Sequence, residues 1–255
     1  MSLENKIIVN FGDSIFGNFR APEDISSYIA EITGAKTYNV GFGGCRMSVH
    51  SLPHFDKFCM YRIADAVTTR DFQPQEDAFG FVPRGEALPT YFRDSFELLR
   101  SIDFSKVDIA TIAYGTNDFT AARPLEGAGK YDFTTYGGAL RYSIEKLESA
   151  FPSLTLVLCS QTYRFWRKKD TGEEIGDSNT RAMESGLYLP EYVEKTREIA
   201  DEYGLFFIDN YNGPVINKEN RDLCFSETDG THPIPYGRRL IAENISRNLI
   251  ERFGK

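Results

Sequence analysis

Short apolar runs alternate with amphipathic stretches along most of this chain, and that alternation predicts its architecture. Residues 6–11 (Lys-Ile-Ile-Val-Asn-Phe) read as a buried strand that ends at Gly12. Pro22, Glu23 and Asp24 then open a helix with Ile25, Ile29 and Ile32 on one face, closed by Gly34. A short second strand covers Lys36 to Val40. Residues from Pro53 to about Arg70 carry a poorer periodicity and are read as a helix. The stretch from Thr90 to Ile102 is a better one, with Phe92, Phe96, Leu99 and Ile102 at spacings of three and four.

Residues 107–114 form the strongest strand signal in the chain. Tyr136, Leu140, Ile144, Leu147 and Phe151 follow at helical period, and Leu154 to Cys159 is another apolar run. Leu189 to Tyr203 reads as a helix with Leu189, Val193, Ile199 and Ala200 on its apolar side and Gly204 at its end. Leu205 to Ile208 is a fifth strand. A last helix starts near Pro235 and carries Leu240, Ile241, Ile245, Leu249, Ile250 and Phe253.

Strand and helix in this cadence predict an α/β fold: a parallel sheet covered by helices on both faces, a three-layer sandwich built with right-handed crossovers. No repeat or linker interrupts the pattern, so residues 1–255 are expected to form one domain. Four irregular segments, 70–89, 119–133, 161–187 and 210–230, exceed ordinary connections. Three of them follow the carboxyl end of a strand, the edge at which open α/β sheets bind ligands. They are expected to wall a substrate cleft.

Composition narrows the function. A net charge of −8 with no long basic run argues against a nucleic-acid partner. No stretch approaches the roughly 20 apolar residues of a membrane span, and residues 6–11 are too short for a signal-peptide core. Cys45, Cys59, Cys159 and Cys224 show no Cys-x-x-Cys spacing and read as reduced thiols, which points to a cytoplasmic setting, with an export signal removed ahead of Met1 as the alternative. Cys159 lies in an apolar run and is expected in the core; Cys45 is expected near the site without acting in it.

The candidate chemistry sits in islands at strand ends. Ser14 follows Gly12-Asp13 after the first strand, exposed at the sheet edge with its N–H at the start of a helical turn. There it suits either a nucleophile or a helix cap. Asn39 to Gly44 holds three glycines in four positions, which lets main-chain N–H groups converge, and Gly44 is the candidate donor to an oxyanion. The loop lacks the pattern of a phosphate cradle. Asn117, in Gly115-Thr116-Asn117-Asp118, offers an amide that donates without titrating, while Asp118 is read as structural. In Asp229-Gly230-Thr231-His232-Pro233 the spacing brings a carboxylate to an imidazole Nδ1 and leaves Nε2 free, with Pro233 holding His232 extended.

His50 and His54 stand four apart but lack a third ligand, so no metal and no cofactor is expected. Residues 162–167 (Thr-Tyr-Arg-Phe-Trp-Arg) suit either an aromatic platform with a cation on the cleft rim, with Tyr163 and Trp166 touching substrate, or packing beneath the loop.

Taken together, these blocks resemble the SGNH (GDSL-type) hydrolase superfamily of esterases, lipases and acyltransferases, from Gly12-Asp13-Ser14 to Asp229-x-x-His232-Pro233. The resemblance implies a flavodoxin-like fold with strand order 2-1-3-4-5. It implies Ser14 as nucleophile, His232 as base oriented by Asp229, and an oxyanion hole of the Ser14 N–H, Gly44 and Asn117. Two positions depart: Ile15 stands where the name-giving pattern has Leu, and Gly43-Gly44-Cys45-Arg46 lacks the acidic residue that often follows the second-block glycine. The expectation is a metal-free hydrolase of short acyl esters, acetate on a carbohydrate foremost. An acyltransferase using the same site and a non-catalytic carbohydrate binder are the alternatives.

Overall fold

The computed structural model describes residues 2–81, 85–168, 170–213 and 215–254. Five parallel strands form the main sheet: β1 (Ile7–Gly12), β2 (Lys36–Asn39), β3 (Ile109–Ala113), β4 (Thr155–Cys159) and, last in the chain, Phe206–Ile208. Their spatial order is second, first, third, fourth, fifth, as the resemblance implies. A separate antiparallel pair, β5 (Phe165–Arg167) and β6 (Glu174–Asp177), lies in the connection after β4, which makes Phe206–Ile208 β7.

The helices are α1 (Ser14–Gly17), α2 (Ile25–Thr33), α3 (Pro53–Asp56), α4 (Met60–Thr69), α5 (Gln73–Phe79), α6 (Phe92–Ser101), α7 (Thr116–Thr120), α8 (Tyr136–Ala150), α9 (Leu189–Tyr203), α10 (Arg221–Cys224) and α11 (Pro235–Phe253). Helices α2 and α11 pack on each other, as do α4 with α8 and α8 with α9. Right-handed crossovers put these two groups on opposite faces of the sheet.

β1 and β3 are sandwiched between neighbours and covered on both faces, so their side chains are almost all buried. The one polar side chain within β1, Asn10, donates to Ser26 Oγ at 2.9 Å and accepts from Thr111 Oγ1 at 2.8 Å. A buried amide so satisfied ties β1 to both α2 and β3. Asp24 caps α2 instead of lying in its first turn, accepting from the Ser26 and Ser27 N–H groups.

The segment from Pro53 to Arg70 is two helices. The chain turns extended at Cys59 (ψ 150°) so that Phe58 can enter an aromatic cluster, with its ring 5.0 Å from Phe42 and 5.1 Å from Phe92. Burying such a ring is worth roughly 1.5–3 kcal/mol, enough to outweigh one continuous helix. Three of the segments read as irregular contain elements: α5, the β5–β6 pair and α10. Residues 82–84, 169 and 214 of those segments lie outside the described residues.

Candidate active site

The register of the sheet determines what meets what. Gly12 of β1 lies opposite Ala113 of β3, so both strands release the chain at the same carboxyl edge. Ser14 is the first residue of α1, two positions beyond Gly12, and Asn117 lies in the first turn of α7, four beyond Ala113. The loop before α11 comes from the far end of the sequence to the same edge. There His232 Nε2 stands 2.9 Å from Ser14 Oγ, and His232 Nδ1 stands 2.7 Å from Asp229 Oδ2.

The Asp229 carboxylate also receives two main-chain donors on Oδ1, Thr231 N–H at 2.8 Å and His232 N–H at 3.1 Å. Partial burial works to raise its pKa, but the imidazole and these amides outweigh it and hold the carboxyl down at about 2. Asp229 is therefore ionised across the neutral range, facing one ring nitrogen while the serine hydroxyl faces the other. Ser14 is 8% exposed, whereas the His232 side chain is 30% exposed. The hydroxyl is recessed; the imidazole opens to solvent.

Gly43 packs beside Ser14, a Cβ built on it coming within 3.3 Å of Ser14 Cβ. The Ser14 amide, at a helix start, has no intrahelical acceptor. Gly43 and Gly44 differ in what their amides do: the Gly43 N–H donates to Tyr91 Oη at 2.7 Å, and that hydroxyl donates to Asn18 Oδ1 at 2.8 Å. The Gly44 N–H makes no hydrogen bond among the described residues. Gly44 adopts φ +75°, a conformation that favours glycine. Gly43 has no room for a side chain, since a Cβ there would collide with Asn18 and Tyr91.

Asn117 Nδ2 donates to the Cys45 carbonyl at 2.8 Å, which leaves its second amide hydrogen uncommitted. Its neighbour Asp118 is fully buried and accepts from Met47 N–H at 2.8 Å, Ser48 N–H at 3.0 Å and Ser48 Oγ. Helix α7 thus clamps the glycine loop through two consecutive side chains. Cys45 contributes its carbonyl to this clamp while its thiol is buried, as are those of Cys59, Cys159 and Cys224.

Asp13 gives a first testable consequence. It caps α1 through Ile15 N–H at 3.0 Å and is buried. Burial pushes its carboxyl up to about 6, only partly countered by the Ile15 N–H and by His232. Because the folded value lies above the unfolded one (3.8), the protonated form favours folding below about pH 4, and that contribution disappears as pH rises through about 6. Asp13→Asn keeps the cap and removes the charge. The variant should therefore be more stable than wild type at pH 8 by up to about 3 kcal/mol, with little gain at pH 4. Urea unfolding at both pH values checks this, and an equal difference at the two would contradict it.

The aromatic segment after β4 behaves differently at its two candidate positions. Tyr163 is 2% exposed, donates to Asp177 Oδ2 at 3.0 Å and accepts from Arg221 Nη1 at 3.2 Å. It packs beneath the loop and does not reach a cleft rim, a correction to its reading as a substrate contact. The cause is the β5–β6 pair, which folds Asp177 over it. Trp166 is half-buried, 6.1 Å from Phe119 of the segment that carries Asn117. The guanidinium groups of Arg164 and Arg181 lie 4.6 and 5.3 Å from its ring.

His50 and His54 are engaged elsewhere. His50 Nδ1 accepts from Leu52 N–H at 2.9 Å, and His54 Nε2 lies 2.7 Å from the Glu86 carbonyl. Sequence reading missed Tyr91, whose hydroxyl decides which glycine amide is free. Nothing in its local pattern marks it, because the partner loop is far away in sequence.

The sheet, between two layers of helices, carries a hydrogen-bonded Ser–His–Asp chain at its carboxyl edge, and the family match makes the protein an α/β carboxylic ester hydrolase. This chain belongs to the GDSL-like lipase/acylhydrolase family, whose family model matches residues 8–245. No curated protein matches it significantly. Solved structures do. It is similar to a protein from Lactobacillus plantarum (18% identity, TM-score 0.65, covering 98% of this chain and 99% of that one). A possible lipase from Chitinophaga pinensis matches with 18% identity, a TM-score of 0.61 and the same coverage. A carbohydrate acetylesterase family member from Sinorhizobium meliloti matches with 14% identity, a TM-score of 0.57, and coverage of 98% and 100%. Among the described residues no helix is long and apolar enough to cross a membrane.

Proposed function

We propose that this ester hydrolase works through Ser14, His232 and Asp229 by way of an acyl-enzyme, on short-chain acyl esters, acetyl groups on carbohydrate foremost. The observation that carries the reading is the unbroken hydrogen-bonded chain from Asp229 Oδ2 through both ring nitrogens of His232 to Ser14 Oγ, 2.7 and 2.9 Å in its two links.

Ser14 Oγ attacks the ester carbonyl as His232 Nε2 takes its proton, and Asp229 stabilises the imidazolium. The carbonyl oxygen, now an oxyanion, receives the N–H groups of Ser14 and Gly44 and the free amide hydrogen of Asn117. His232 then protonates the departing alcohol. In the second half it activates water against the acyl-enzyme, which releases the acid and restores Ser14.

A short acyl group fits a recessed hydroxyl with polar surroundings, and the Sinorhizobium meliloti neighbour is named for carbohydrate acetyl esters. With 4-nitrophenyl esters of graded length, kcat/KM should be highest from acetate to butyrate and at least about tenfold lower at octanoate, a difference of about 1.4 kcal/mol in transition-state stabilisation. A fluorophosphonate probe should label Ser14. A rising series or an unlabelled serine would contradict the reading.

Asn117→Ala removes one oxyanion donor and the anchor on Cys45. It should lower kcat roughly 10²–10³-fold with little change in KM. Steady-state kinetics on 4-nitrophenyl acetate measures this, and a loss below tenfold would remove Asn117 from the oxyanion hole.

A further inference from the structure

Arg164 is a buried cation beside this site with its donors largely unused. It is 8% exposed, and its Nη1 donates to Thr120 Oγ1 at 2.9 Å. Its Nε is buried without an acceptor, and its Nη2 bonds to no protein atom among the described residues. Arg181, on the same indole of Trp166, keeps a buried Nη1 equally unpartnered. Neither forms an ion pair with a carboxylate among the described residues, although the chain carries a net charge of −8.

The position of Arg164 connects it to both walls of the site. Thr120 lies one helical turn beyond Asn117, on the same side of α7. The next residue, Phe165, donates its N–H to the Gly230 carbonyl at 3.1 Å, inside the loop that holds Asp229 and His232. The charges of Asp13 and Asp229 act on Arg164 through space, outside contact distance, while burial works against its charge and brings it down to about 10. A guanidinium removed from water at this cost, beside a second one, is stabilised when an anion fills the open donors. An apolar ligand leaves them unfilled, and a neutral acceptor fills them without balancing the charge.

We propose that Arg164, supported by Arg181 across Trp166, binds an anionic group, a carboxylate in the first instance, carried by the ester substrate. This deepens the proposed function and rests on it: the hydrolysed ester is acidic, with its charge in either the alcohol or the acyl part. Planar guanidinium donors match a carboxylate geometrically, and the indole face holds the guanidinium plane in place.

Two pairs of esters, matched except for charge, test the proposal and locate the anion. The alcohol arm compares acetate release from 4-acetoxybutanoate and from its amide, 4-acetoxybutanamide. The acyl arm compares nitrophenol release from mono-4-nitrophenyl adipate and from the corresponding amide, each corrected for the enzyme-free rate. Wild type should prefer the anion in kcat/KM by about tenfold or more in one arm, and that arm identifies the side of the ester bearing the charge. The ratio should shrink with added NaCl and approach one in Arg164→Gln, with a smaller fall in Arg181→Gln. Structural damage lowers both members of a pair and leaves their ratio alone, so the ratio reports binding of the charge.

A wild-type ratio near one in both arms, with the amides still hydrolysed in a Ser14-dependent manner, overturns the proposal and leaves the hydrolase reading standing. A ratio kept intact in Arg164→Gln also overturns it. If neither member of either pair is cleaved faster by wild type than by Ser14→Ala, the triad reading itself fails and takes this inference with it.

Discussion

Ser14→Ala should reduce kcat on 4-nitrophenyl acetate by roughly a millionfold while leaving the fold intact. Among the described residues the hydroxyl makes one hydrogen bond, to His232 Nε2. Its removal deletes the atom that would carry the acyl group and takes no packing atom from the core. What would survive is binding of the ester carbonyl by the proposed oxyanion donors, Ser14, Gly44 and Asn117, worth on the order of 10³ over water in such sites. The measurement is a progress curve at high enzyme concentration beside a thermal unfolding scan. An unchanged midpoint with activity at background supports the nucleophile assignment. Activity above about 1% of wild type would remove Ser14 from that role.

Asp229→Asn should cost on the order of 10⁴ in kcat, again with native folding. An asparagine Oδ1 still accepts from the Thr231 and His232 N–H groups, so the turn holds. Its amide nitrogen would then face His232 Nδ1 as a donor. The ring must turn Nδ1 into an acceptor and carry its proton on Nε2, pointed at Ser14 Oγ. In that tautomer the imidazole has no lone pair for the serine proton. The acidity of Asp229 rules out a simple exchange with a neutral acid, since its carboxyl sits at about 2 in the folded protein. Kinetics between pH 6 and 9 check this, and a loss of less than tenfold would mean that Asp229 only shapes the loop.

Much of the fold could be read from the chain because central parallel strands are covered on both faces. β1, β3 and β4 leave apolar runs that no other element of this length explains. Helix α9 was legible from Leu189 to Gly204 because its apolar periodicity and a glycine at its end, which the structure places in the left-handed region, agree. The break between α3 and α4 was not, since Phe58 leaves the helix to join Phe42 and Phe92, and local periodicity contains no information about them. The β5–β6 pair was hidden for another reason. Residues 174–177 carry acids and a glycine, and are held by pairing with Phe165–Arg167 rather than by their own propensity.

The site divides in the same way. Ser14, Asn117, Asp229 and His232 are legible only as a set: each alone suits a cap or a turn beside its glycine, but a hydroxyl, an amide, a carboxylate and an imidazole at strand ends in this order match one chemistry. Choosing Gly44 over Gly43 needs Tyr91, whose hydroxyl occupies the Gly43 amide. Tyr163 and Trp166 look alike in sequence and separate only when Asp177 and Arg221 enclose the tyrosine. Arg164 looks like any loop arginine until its burial and its empty donors are seen together.

By itself the sequence determined the layers, the order of strand and helix, and the chemical groups offered at the sheet edge, because those follow from local periodicity and side-chain chemistry. Only the tertiary structure decided which amide is free, which aromatic is covered and which cation lacks a counter-charge. Each of those depends on a partner distant along the chain, and hydrogen-bond saturation and desolvation exist only once the two have met.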